Sequence, residues 1–509
     1  MTAGSPTPPI GFGPAGSQGA EHFAGGKAPV PAGFLALLAK ACAVVDTAPA
    51  SLAEAGRDWW PFAQRWALDG QTVAMPAAVA RPSTVAEVQA VARLCNEHLV
   101  PLTAAGGRSG VCGASVPVFG GVALDTCGLR GVLGVDGDSL LVDVAAGSFG
   151  PDLEAELQAD HGLTIGHWPQ SIDLATIGGW IACRGAGQYS TRYGKIEDIV
   201  AGLEVVLANG EVIRTGAMAG AGPRSAMGPD LTQVFVGSEG VLGIITSARL
   251  RAHPVATAEH RAAFSCATFA DGLHVIRRVL RRGGTPAVMR LYDGKEAKRN
   301  FGLDGNVLIV LDEGDDTVVD AAMSLVHVEA DLQGLTAIDS EVVERWLGHR
   351  NDVSALASVT RAGIVVDTIE IAGPWATLPH IYDEAVAGIE RLDGALMASA
   401  HESHAYLDGA CIYFTFAGRD PAAGTGAADP AFAEAFYRGA WDAVLEATRA
   451  NGGSISHHHG IGLVRGPYLR EALGASYTVL ETLKAGLDRN GILNPGKLGL
   501  DSRFGASPW

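Results

Sequence analysis

Three glycine clusters fall between residues 106 and 243, and they restrict the chain more than any other feature. They read "AAGGRSGVCGA", "SIDLATIGGWIACRGAGQYSTRYGKIEDIV" and "VGSEGVLG". Each follows an extended segment, so each predicts a strand running into a loop. A glycine loop lets successive backbone N–H groups face one anion, because no Cβ blocks close approach. One such loop reads as ordinary punctuation, but three in one unit point to a phosphate-bearing ligand. Arg108 and Ser109 in the first loop add a charge and a hydroxyl suited to a pyrophosphate.

The usual dinucleotide cradles are missing. "GFGPAG", residues 11–16, matches GxGxxG in form, but no strand precedes it and Pro14 interrupts it. That fingerprint needs a strand before it and a helix after it. No GxxxxGK[ST] loop occurs. A nucleotide bound here needs another cradle, and an NAD(P)-linked enzyme is disfavoured.

Residues 1–33 are rich in Gly, Pro and Ala and predict a disordered tail. The stretch has no basic segment followed by an apolar core, so it does not read as a signal peptide. Residues 34–75 predict a helical segment. Residues 76–254 form an α+β unit, with Ser83 or Thr84 as N-cap of a helix and Asn209–Gly210 as a hairpin turn. Residues 255–509 predict a second unit built on a sheet, from "AVMRLYDG", "NVLIVLDEGD", "GIVVDTIEIAGPW" and "GACIYFTFAG".

The formal net charge of −18 argues against nucleic acid as a partner. The local exception is "HVIRRVLRRGG", a helix whose arginines 277, 278, 281 and 282 offer a basic face and one option for peripheral membrane contact. No run of 18 apolar residues predicts a membrane span. Seven scattered cysteines without a CxxC pair fit reduced thiols in a cytoplasmic protein.

"NGGSISHHHGIG" carries His457, His458 and His459. Imidazoles titrate near neutrality and relay protons. In an extended segment His457 and His459 share a face while His458 points away. The triplet lacks the HExxH arrangement, and no metal is expected.

The order "PLTAAGGRSG", "ATIGGW", "YGKIEDIV", "GSEGVLGIIT" resembles the FAD-binding PCMH-type domain of the vanillyl-alcohol oxidase superfamily over about 76–254. The resemblance implies a two-part FAD-binding domain followed by an FAD-linked oxidase C-terminal cap domain with an antiparallel sheet. It assigns cofactor contacts to Gly106, Gly107, Arg108, Ser109 and Gly110, to Asp173, Thr176, Ile177, Gly178 and Gly179, and to Gly237, Ser238, Glu239, Gly240 and Ile244. Relatives often carry a further glycine where this chain has Arg108. No histidine follows the first loop, which implies noncovalent FAD. Cys112 and Cys183 are linkage candidates that read better as packing thiols.

"MRLYDG", "YLDGACIYFTFAG" and "NGGSISHHHGIG" resemble the alkyldihydroxyacetonephosphate (alkylglycerone-phosphate) synthase family. D-lactate and glycolate dehydrogenases carry a Gly-Glu-His-Gly type block in place of His-His-His-Gly. The resemblance implies exchange of the acyl chain of acyl-dihydroxyacetone phosphate for a fatty alcohol, through an adduct at flavin N5. Tyr413 becomes the acid/base, Arg290 a charge beside the flavin, and His457, His458 and His459 an active-site segment. Where the synthases carry a phosphate-binding arginine, this chain has His401, with His404 nearby; a histidine is a weaker phosphate anchor. The rivals are an FAD-dependent D-2-hydroxy acid dehydrogenase and a non-catalytic FAD-binding protein. A small-molecule or lipid substrate and a homodimer complete the expectation.

Overall fold

The computed structural model describes residues 20–352, 355–424 and 426–509. "GFGPAG" lies outside them. Three sheets organise the chain. The first holds β1 (Val45–Asp46), β2 (Ala78–Ala80), β3 (Leu102–Ala105) and β4 (Val122–Asp125), in the order β1-β2-β4-β3. Strands β2, β3 and β4 run parallel, which requires a crossover. Helix α1 (Val85–His98) supplies it, capped by Thr84, whose hydroxyl accepts from the Glu87 N–H.

The second sheet is antiparallel: β5 (Val132–Asp136), β6 (Leu141–Ala145), β7 (Val200–Val206), β8 (Val212–Arg214) and β9 (Ile244–Arg251), in the order β8-β7-β9-β6-β5. The hairpin between β7 and β8 turns at Asn209–Gly210, where Gly210 has φ +79°.

The third sheet carries β10 (Ala258–Cys266), β11 (Val288–Tyr292), β12 (Asn306–Gly314), β13 (Thr336–Ile338), β14 (Val365–Pro374), β15 (Ala395–Ala405) and β16 (Gly409–Gly418). All its pairs are antiparallel, in the order β13-β10-β12-β11-β15-β16-β14. Strand alternation splits its residues between two faces. Ile369, Ile371, Ile412, Phe414 and Phe416 pack in one cluster with Leu378, Ile381 and Phe436 of the covering helices. The residues between them, Glu370, Tyr413 and Thr415, take the opposite face.

Three expectations need correction. Residues 20–33 are not a disordered tail: Ala20–Glu21 pairs with Gln71–Thr72, and the His22 ring stacks on Trp66 at 3.8 Å. Residues 34–75 carry the expected helical segment as Phe34–Ala41, Pro49–Ala55 and Pro61–Leu68, but it is interrupted by extended Val45–Asp46 and Gln71–Thr72. The arginine-rich end of helix α2 (Phe269–Arg281) is not a free basic face: Arg278 and Arg282 both pair with Glu329, and Arg277 donates to His274. In addition, residues 460–509 return to the first unit, where Asn494 N–H donates to the Leu102 carbonyl and Lys497 to that of Val116. Among the described residues no helix is long and apolar enough to cross a membrane.

Candidate active site

The three glycine segments converge. Gly106 and Gly107 pack on the 174–176 turn so closely that an added Cβ would lie 2.1 Å from Thr176 Oγ1 and 1.9 Å from the Leu174 carbonyl oxygen. Those two positions must be glycine for loop packing alone. The 237–239 segment hangs on the end of the 177–182 helix, with Gly237 and Glu239 N–H groups donating to the Ile181 and Ala182 carbonyls. Gly240 sits against Ala104 and Asn494. Thr176 caps that helix by accepting from the Gly179 N–H. Arg108 adopts φ +55°, which explains why relatives place a glycine there.

This convergence leaves polar atoms without partners. Arg108 Nε, Ser238 Oγ, Trp180 Nε1 and Asn494 Oδ1 are buried and make no hydrogen bond among the described residues. Buried polar groups are rarely orphaned in this way. Together with the glycine segments they fit an elongated polar ligand such as FAD. Ile177 and Ile244 are core residues, and Asp173 stands exposed on its turn.

Across the third sheet, one rung of paired residues crosses four strands: Tyr292 on β11, His401 on β15, Tyr413 on β16 and Glu370 on β14. The rings of Tyr292, His401 and Tyr413 stack, with centroids 5.4 and 4.9 Å apart. Glu370, fully buried, accepts from the backbone N–H groups of His457, His458 and His459. Its counter-charge is the equally buried Arg465, 3.2 Å away. Burial would raise the Glu370 carboxyl; Arg465, His459 and the N–H groups outweigh it and hold the carboxylate below its usual range.

Three successive N–H groups can reach one carboxylate only if the backbone bends. The triplet is therefore not extended, and the expected alternation fails. His458 and His459 both face Tyr413, with Nε2 atoms 2.5 and 3.2 Å from its hydroxyl. His457 turns away toward His404 and Tyr406, while its Nδ1 meets His458 Nδ1 at 2.8 Å. A second carboxylate, Glu239, accepts from the Ile461 and Gly462 N–H groups. Its side chain latches the histidine segment to the first unit, a different use from the cofactor contact expected of it.

Burial pushes all these imidazoles down. His457 and His458 fall well below the ordinary value, and His459 falls to about 4 although Glu370 opposes the shift. Burial also drives the Tyr413 phenol well above 10. Lys195 holds the far side of the triplet, donating to the His457 carbonyl at 2.6 Å.

His401 does not face outward as a free anchor. Its Nδ1 lies 2.7 Å from Glu296, whose carboxylate also accepts from Thr415 and Ser399. Against its burial, His401, Arg299 and Thr415 hold the Glu296 carboxyl down at about 2. His404 bonds Ser190 Oγ at 2.8 Å, and Tyr406 shares that hydroxyl at 3.0 Å. Arg290 is buried and donates to Tyr292.

Ligand-type atoms of Glu370, Cys411, His457 and His458 lie within 4.8 Å of one another, but Glu370 is already bonded to the triplet and Arg465. Burial pushes the Cys411 thiol well up, lifts Cys183 to about 12 and raises Cys112 further. Thiols held protonated are poor nucleophiles and ligands.

The sequence reading did not find Glu370, Arg465, Lys195, Ser190 or Glu296. A signal existed for one of them: Glu370 interrupts the apolar strand "VVDTIEIAG", where an acidic residue needs a buried partner.

Fold and site together define a flavin-binding enzyme with a cofactor unit and a sheet that closes over it. Residues 76–216 match the FAD binding domain family, and residues 256–498 match the FAD linked oxidases, C-terminal domain family. The chain belongs to the FAD-linked oxidoreductase family of PCMH-type flavoproteins, and FAD is its cofactor. It is 30% identical over 445 residues to the uncharacterized FAD-linked oxidoreductase YgcU of Escherichia coli K12, covering 84% of this chain and 90% of that one. It is 28% identical over 467 residues to the alkyldihydroxyacetonephosphate synthase of Dictyostelium discoideum, covering 84% and 74%. It is 27% identical over 442 residues to the glycolate oxidase subunit GlcD of Bacillus subtilis, covering 84% and 90%. A solved alkyldihydroxyacetonephosphate synthase shares the fold, with a TM-score of 0.76, 22% identity and coverage of 97% and 88%.

Proposed function

We propose that the chain catalyses a synthase-like exchange on FAD, replacing the acyl chain of an acyl-dihydroxyacetone phosphate by a fatty alcohol. The observation that carries this reading is Tyr413, whose hydroxyl lies between His458 Nε2 and His459 Nε2. The ester C–O bond breaks and the fatty acid leaves. The ether C–O bond forms, the alcohol gives up its proton, and there is no net oxidation. Such a reaction needs a group that returns a proton as readily as it takes one. Noncovalent FAD, held by the 106–110, 176–179 and 237–240 segments, supplies the reactive isoalloxazine ring.

The bonding supports one proton chain. Tyr413 donates to His458 Nε2, so His458 carries its proton on Nδ1 and donates to His457 Nδ1. His459 donates from Nε2 to the Tyr413 oxygen. The chain ends at His457 Nε2, which has no partner. Every imidazole in it is neutral, so it conducts without a stored charge.

The charge state sets the pH dependence. Burial disfavours the protonated imidazole, so the working neutral form persists as pH falls past the ordinary histidine value. The imidazoles should add no limb to the pH–rate profile from about pH 9 down to about pH 5, their acid limb lying near the His459 value of about 4. Burial raises the Glu239 carboxyl to about 7, inside that window, so the imidazoles are shown to be solvated only by a limb near 6.5 that persists in Glu239→Gln.

The second reading is an FAD-dependent D-2-hydroxy acid dehydrogenase. The similarity to GlcD favours it, and a neutral histidine can take the hydroxyl proton. The purified, yellow protein tests both. Acid precipitation should release its FAD into the supernatant. With acyl-dihydroxyacetone phosphate and a labelled fatty alcohol, label should appear in ether linkage, and D-lactate and glycolate should leave the absorbance unchanged. Complete bleaching by a D-2-hydroxy acid, reversed by an acceptor dye, would decide for the dehydrogenase.

A further inference from the structure

Strand β15 puts two histidines on the face that carries Tyr413, and a bulge makes that possible. His401 pairs with Tyr413 and His404 with Cys411, so an extra residue on β15 is taken up between them. That residue turns His404 to the face His401 already occupies. The two imidazoles offer opposite things. Burial lowers His401, which stays neutral and donates from Nδ1 to the Glu296 carboxylate, leaving Nε2 as an acceptor.

His404 is set the other way. Its Nδ1 lies 2.8 Å from Ser190 Oγ, and the Tyr406 hydroxyl lies 3.0 Å from the same oxygen. Tyr406 has no other partner for its hydroxyl among the described residues, so it donates to Ser190, and Ser190 passes its single proton toward His404 Nδ1. The His404 proton then sits on Nε2. Burial holds this imidazole well below its ordinary value, and Arg290, Lys195, His401 and His459 all oppose a second proton. No hydrogen bond among the described residues takes up the Nε2 proton, and unlike His457 Nε2 this atom is not sealed off. The neighbouring donors are occupied: His458 and His459 meet Tyr413 through Nε2, and Lys195 donates to the His457 carbonyl. The frame behind His404 is fixed. In the one-turn helix Ser190–Tyr193, Thr191 Oγ1 accepts from the Ala405 N–H, Arg192 pairs with Asp312 and Tyr193 donates to Glu313.

We propose that His404 is a further catalytic residue, whose Nε2–H donates to the substrate carbonyl oxygen beside the reacting carbon, and that Ser190 and Tyr406 are positioning residues that fix its tautomer. A neutral imidazole held as a donor polarises a carbonyl, and it contributes most as charge gathers on that oxygen in the transition state. No proton leaves His404 in this role, so it stands apart from the chain that ends at His457. The assignment rests on the synthase reading, in which the dihydroxyacetone unit carries its carbonyl next to the carbon that exchanges substituents.

Two measurements on the FAD-loaded protein test it without turnover. Nitrogen magnetic-resonance spectra of protein with isotope-labelled histidine, in which His404 is identified by its loss in His404→Gln, should show Nε2 protonated and Nδ1 bare at neutral pH. Ser190→Ala should mix the two tautomers. The infrared carbonyl stretch of bound dihydroxyacetone phosphate should lie below its position in solution in the wild type, stay partly lowered in His404→Gln and return in His404→Leu. Turnover should fall about 10²–10³-fold in His404→Leu at similar KM, and less in His404→Gln, which keeps an N–H donor. A proton on Nδ1, an unshifted carbonyl band in the wild type, or equal losses in the two variants would overturn the donor. A lowered band without ether product keeps the donor and removes the synthase reading. Ether formation with an unshifted band does the reverse.

Discussion

Glu370→Gln should destabilise the protein by about 3–5 kcal/mol and lower turnover by about a hundredfold. The substitution keeps the shape and removes the charge. Arg465, 0% exposed, then has no anion at ion-pair distance among the described residues, because its other hydrogen-bond partners are the Glu370 and Gly460 carbonyls and the Cys112 sulfur. An uncompensated buried guanidinium is the costly case. The catalytic loss has a separate origin. The N–H groups of the triplet converge on this carboxylate, and a glutamine amide offers one acceptor oxygen where three donors need two. His458 and His459 would then leave the Tyr413 hydroxyl. Urea unfolding measures the first effect and steady-state turnover the second. Adding Arg465→Met to Glu370→Gln should restore part of the stability and none of the turnover. A destabilisation under 1 kcal/mol would mean that the ion pair is better solvated than its burial implies.

How much of this could be read from the sequence depended on whether a residue's reason is local. Gly106 and Gly107 were legible because close backbone approach can be written only as glycine. Tyr413 and the histidines were legible because their blocks recur with the chemistry. The arrangement of the triplet was not. Alternation assumes an extended backbone, and here a carboxylate 87 to 89 residues earlier bends it. Glu370, Arg465 and Lys195 act on partners distant in sequence, and nothing beside them in the chain names those partners. His401 stands where the sequence led one to expect an anchor weaker than arginine, and its tie to Glu296 comes from packing between a helix and a strand. The ordering of residues 20–33 was hidden for the same reason. Their composition resembles a disordered segment, and only the Trp66 surface gives His22 a place to stack.

Tyr413→Phe is the sharpest test of the proton chain, with an expected loss of roughly 10²–10⁴-fold in turnover while FAD stays bound. The ring should keep its place, since it stacks on His401 at 4.9 Å with only 12° between planes and fills the same volume without its hydroxyl. Removing the oxygen leaves two imidazole nitrogens buried without a partner, which costs about 1–3 kcal/mol each when nothing replaces it. The melting temperature should therefore fall modestly while the flavin spectrum is retained. The tyrosine's role shows in how the loss is distributed. A group that works only by transferring a proton lowers kcat and kcat/KM together, because it contributes little to holding the substrate. A packing role would raise KM or loosen FAD and leave kcat near its original value. His458→Asn and His459→Asn then read the two ends of the bond. The first interrupts the route from Tyr413 to His457 and should approach the Tyr413→Phe loss. The second removes a donor to the phenol oxygen and leaves the route intact, so its loss should be smaller. Wild-type turnover in Tyr413→Phe, or equal and mild losses in both histidine variants, would reduce the whole cluster to packing.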